Sequence, residues 1–227
     1  MTGSEVPAEP PDSDETVGRI LQGLHRLLVR LAGRVPDELV FHARCMLAEG
    51  DLAYLPDTLS GAAAGLGVSL TAADAGILRD VLVALGAGEE PVAMDRVPIS
   101  DVVPGTGHVF APAVPDLTEE ADDGPADLLD ALVVDALTEH SGVVAVRRAW
   151  RSRPGGPPED GRRVYLAEVD PGVPAWDLTM DAQRELVQMG MDSPQVEVYW
   201  SGDDLPPYHR TARTGAALLW RRPEATP

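Results

Sequence analysis

Gln195-Val-Glu-Val-Tyr-Trp-Ser-Gly-Asp-Asp-Leu-Pro-Pro-Tyr-His-Arg210 is the stretch around which the chain is organised. Residues 195–201 alternate like a strand, with Val196, Val198 and Trp200 on one face and Glu197, Tyr199 and Ser201 on the other. Gly202 ends the strand. Pro207 suits the first turn of a final helix, expected to run on to Trp220 with Tyr208, Ala212, Gly215, Ala216 and Leu219 on one side. Its other side carries Arg210, Arg213 and Arg221.

Upstream, Leu128, Leu129, Leu132, Val133, Ala136 and Leu137 mark a helix. Residues 143–151 and 162–169 read as strands joined by a loop rich in Pro and Gly. Residues 177–189 read as a helix ended by Gly190. The order α-β-β-α-β-α defines a small α+β domain over 126–222, followed by a tail at 223–227. Before it, residues 88–125 hold six Pro and the acidic run Glu119, Glu120, Asp122 and Asp123, which describes a linker partly laid against that domain. Short extended pieces at 97–103 and 108–111 are available for pairing.

The first part, 14–87, is helical throughout. Leu21, Leu24, Leu27, Leu28 and Leu31 recur at spacings of three and four. Pro36 opens a second helix that Gly50 should stop. A third lies within 52–66, and Thr71-Ala-Ala-Asp74 reads as a capping box for a fourth. Short connections favour an antiparallel bundle. The fold class expected is α+β, a helical bundle followed by the smaller mixed domain, with residues 1–13 as a disordered acidic tail.

Charge narrows the function. The net charge is −19, and no residue is Lys, so Schiff-base chemistry and a P-loop lysine are excluded. Residues 1–140 hold 25 acids against 7 Arg, whereas 141–227 hold 12 against 11. Such a field repels nucleic-acid phosphates and anionic membranes but suits a cationic protein partner. Cys45 is the single cysteine and permits no intrachain disulfide. An acidic, Pro-rich beginning is no signal peptide, so a cytoplasmic location is expected.

Few residues form reactive patterns. His42 and Cys45 share a helix face but offer only two zinc corners, so neither metal nor cofactor is called for. The densest polar cluster is Asp203, Asp204, His209 and Arg210. A carboxylate there could orient His209 as a base while Arg210 grips an anion. With Tyr199 and Tyr208, the same residues compose a partner-binding surface, because aromatic and Arg side chains dominate binding hot spots.

The order helix, strand, Pro-rich turn, strand, helix, strand, closing on Pro206-Pro207-Tyr208, resembles the C-terminal domain of the enhanced-serine-sensitivity protein family over about residues 125–210. The resemblance implies no catalytic residues and favours an interaction or regulatory protein. The expected function is a non-enzymatic, acidic protein-binding or regulatory module, of which an immunity-type neutraliser of a basic partner is one form. Two alternatives are a small-molecule enzyme using His209 with Asp203 or Asp204, and a structural subunit that associates with itself.

Overall fold

The computed structural model describes residues 13–113, 127–157 and 160–223. The expected disordered tail (all but Ser13) and the acidic run at 119–123 lie outside them. The protein is α+β, with seven α-helices and a five-stranded mixed sheet among the described residues.

Helices α1 (Ser13–Leu31), α2 (Asp37–Glu49), α3 (Leu55–Leu66) and α4 (Ala72–Ala84) gather around one apolar core. Leu24, Leu27 and Leu28 of α1 meet Val40 and Leu47 of α2, Leu59 of α3 and Leu78 of α4 there. The helix ends follow local chemistry. Gly50 and Gly67 take the left-handed conformation that closes α2 and α3. Thr71 and Asp74 form the reciprocal capping box of α4. The Asp74 carboxylate is buried and also accepts from Arg30 of α1, which locks α4 to α1.

Residues 88–113 are divided between the two halves. Met94 and Val97 complete the helical core, and Leu70 bridges to Ile99. Further on, β1 (Val109–Ala111) joins the sheet beside β2 (Val143–Ser152). Helix α5 (Leu128–Thr138) precedes β2, which pairs antiparallel with β3 (Arg162–Val169). Helix α6 (Ala175–Gln188) then crosses over to β4 (Gln195–Trp200), which lies parallel to β3 at the end of the order β1-β2-β3-β4. A parallel pair requires such a crossover.

The chain ends differently from the helix expected up to Trp220. Helix α7 (Pro207–Gly215) stops after nine residues, and β5 (Ala217–Arg221) pairs antiparallel with β2. Two physical reasons account for this. The free edge of β2 at 145–148 needs hydrogen-bond partners, which β5 supplies. Gly215 also passes so close to β1 that a Cβ would stand 2.5 Å from the Phe110 carbonyl oxygen, an approach only glycine permits.

Helices α5 and α6 cover one face of the sheet, where Val146, Tyr165, Ala167, Val196 and Val198 meet Val133, Leu137 and Leu186. Helix α7 covers the other, packing Ala212 near Ala149, Leu166 and Tyr199. Trp176 touches both the helical core and the sheet core.

Gly33, in the turn between α1 and α2, has φ +71°, and a Cβ there would stand 2.4 Å from the Tyr208 ring. Strain and overpacking therefore act together. Gly33→Ala should lower stability by about 2–4 kcal/mol, read as a shift of the urea midpoint.

Candidate functional site

Strand β4 lies at the end of the sheet order, yet no further strand covers its outer side among the described residues. Two side chains from the helical half do. His25 Nε2 of α1 lies 2.8 Å from the Val198 carbonyl oxygen, and Arg44 Nη1 of α2 donates to the Val196 carbonyl at 2.9 Å. Because a carbonyl can only accept, Nε2 carries the His25 proton. Both donors are buried.

Arg44 brings a charge into this joint, and the strand answers it. Glu197 is wholly buried and accepts from Arg44 Nη2 at 2.5 Å and from His209 Nε2 at 2.8 Å. Burial alone would raise the Glu197 pKa, but the Arg44 charge and the His209 hydrogen bond outweigh it and hold the carboxyl at about 2. Next along the sheet, Asp37, the first residue of α2, takes a bidentate interaction from Arg151 of β2. Arg151 Nη1 also donates to the Tyr208 hydroxyl at 3.1 Å. The consecutive residues Tyr208 and His209 of α7 thus each touch one of two ion pairs that join the helices to the sheet.

This geometry relocates the residues expected to form the working surface. Tyr199, Tyr208 and His209 are buried and present no face to a partner. The carboxylate beside His209 is Glu197 rather than Asp203 or Asp204. Asp203 accepts from Arg26 at 2.9 Å and 3.2 Å, with the Arg26 guanidinium stacked 4.7 Å from the Trp200 ring centre. Asp204 is fully exposed and meets Arg210 at 3.3 Å. Of the six residues, only Asp204 and Arg210 are exposed. A small hollow of about 230 Å³ beside Trp200 and Asp203 does not reach His209. Away from this joint, His42 Nδ1 donates to the Glu38 carbonyl at 2.7 Å, and burial raises the pKa of the half-buried Cys45 thiol.

The signals for the true partners were partial. Strand alternation puts Glu197 on the face of Tyr199, but nothing local says that the face is sealed or that Arg44, 153 positions away, completes it. No family model, curated protein or solved structure matches the chain. Among the described residues, no helix is long and apolar enough to cross a membrane.

Two predictions test the joint. Arg44→Met strands the Glu197 charge and should destabilise the protein by about 3–5 kcal/mol. Combining it with Glu197→Gln should cost less than the sum of the two single variants in a denaturant double-mutant cycle. The second concerns His25, whose pKa burial lowers from 6.5 to about 4 against the pull of the Val198 carbonyl. A lowered folded pKa means that the unfolded chain takes up the proton first as the pH falls. The His25 contribution is therefore complete above pH 6.5 and is lost between 6.5 and about 4. The loss should be on the order of 3 kcal/mol. His25→Gln retains a donor for Val198 without titrating, so its urea midpoint should fall less than that of the wild type across this window.

Proposed function

We propose that the protein is a non-enzymatic binding module whose helical half takes a cationic protein segment on an acidic face. One observation carries this reading: a pair of large apolar side chains stands exposed among carboxylates at the start of α3. Tyr54 is 68% exposed and Val92 79%. Asp57, in the first turn of α3, accepts from the Val92 backbone N–H at 2.9 Å and so ties the 89–95 segment to the turn that presents Tyr54. Glu49, Asp51, Glu89 and Asp95 are exposed around them. Residues 49–60 contain three acids and no base.

An exposed aromatic beside an apolar side chain supplies contact area, and the carboxylates attract and orient a positive partner. The layout suits a basic, partly apolar segment better than a metal or a small anion. It agrees with the regulatory character that the resemblance to the enhanced-serine-sensitivity family implies, and an immunity-type neutraliser of a basic protein would use such a face. Sequestration of His209 against Glu197 favours binding over acid–base chemistry, since a general base must reach the proton that it removes.

A photoreactive residue in place of Tyr54 tests the reading directly. Illumination of the full-length protein in its native lysate should trap proteins of basic pI. Changing Asp51, Asp57 and Asp95 together to asparagine should reduce trapping several-fold. The charge is then gone, while the amide oxygen introduced by Asp57→Asn still accepts from the Val92 N–H. Trapping that ignores these changes, or identical adducts from the same probe at Leu218, would count against the acidic face.

A further inference from the structure

The exposed end of α7 builds a cationic surface that the acidic face does not use. Arg210 and Arg213 of α7 line a cleft of about 430 Å³ with Arg147 of β2, Leu205 and Thr214. That volume lies within the range of small-molecule sites. In a protein of net charge −19, a cleft lined by three guanidiniums is a local reversal of sign.

One donor here lacks an acceptor among the described residues. Arg147 forms no ion pair among the described residues, and its Nε–H is buried without a hydrogen-bond partner. Its cross-strand neighbour is Leu218, where the register of β5 shifts, and such irregularities commonly re-aim a side chain. The Tyr199 hydroxyl, on a side chain only 3% exposed, is also unpartnered among the described residues but does not line the cleft. A buried donor left unpaired is costly, so the Arg147 Nε–H asks for an acceptor. Glu168 does not supply it: its carboxylate is taken by Arg213 at 3.3 Å and Ser201 at 3.0 Å. Among the described residues, Arg210 is held only by the fully exposed Asp204 and the Leu205 carbonyl.

We propose that this cleft binds the oxyanion group, phosphate or carboxylate, of a small molecule, gripped by Arg147 and Arg213. Guanidinium forks match the paired oxygens of either group. Arg221, exposed opposite Ala145 on the neighbouring strand, adds to the positive charge of this sheet face. The site stands apart from the acidic face around Tyr54, so one reading can fail without the other.

Thermal unfolding of the full-length protein at constant ionic strength provides the test, with inorganic phosphate and benzoate as probes and chloride as the reference. Phosphate or benzoate should raise the midpoint beyond chloride, and the more effective probe identifies the preferred oxyanion. Arg147→Gln should weaken that binding by roughly ten- to a hundredfold. Arg213→Gln, a change at an exposed side chain, should weaken it several-fold as well. Stabilisation that chloride reproduces, or that persists undiminished in either variant, overturns the proposal.

Discussion

A sheet edge inside a protein must give its carbonyl groups something to bond, and the answer chosen for β4 shapes the rest of the molecule. Most edges are shielded by another strand, by charge or by brevity. Here two carbonyls receive side-chain donors from helices, one of them a guanidinium. A buried guanidinium is tolerable only with a counter-charge, so Glu197 follows from Arg44. Glu197 in turn collects a second donor, His209, which places the first turn of α7. Each group is needed because of the one before it.

The same logic explains why the most reactive-looking segment of the chain is internal. Tyr208 and His209 are neighbours in sequence and point to separate ion pairs, Arg151–Asp37 and Glu197–Arg44. Helix α7 therefore seats against both anchorages of the helical half at once, while Arg210 and Arg213 remain outside. A segment rich in Tyr, His, Asp and Arg serves as a clamp on its inner side and as a charged surface on its outer side. Trp176 reinforces the connection by reaching into both cores.

What could be read from the sequence follows from how local each feature is. The Thr71–Asp74 capping box, the Gly50 stop and the alternation of Val196 and Val198 depend on neighbours a few residues away, and the structure has them as read. The end of α7 was not legible, because Ala216 to Trp220 fits a helix stripe as well as a strand, and only the vacant edge of β2 decides between them. The aromatic and acidic loop was legible as important but not as buried. Its partners Arg44 and Arg26 lie more than 150 positions upstream and carry no mark that distinguishes them from surface charges.

That long separation bears on how the molecule is made. The helices of the first half are assembled from contacts between near neighbours and precede β4 in synthesis. Its bonding partners His25 and Arg44 are therefore synthesised before the strand that needs them. An order of synthesis in which the donors come first shortens the time for which the edge carbonyls of β4 wait unpaired.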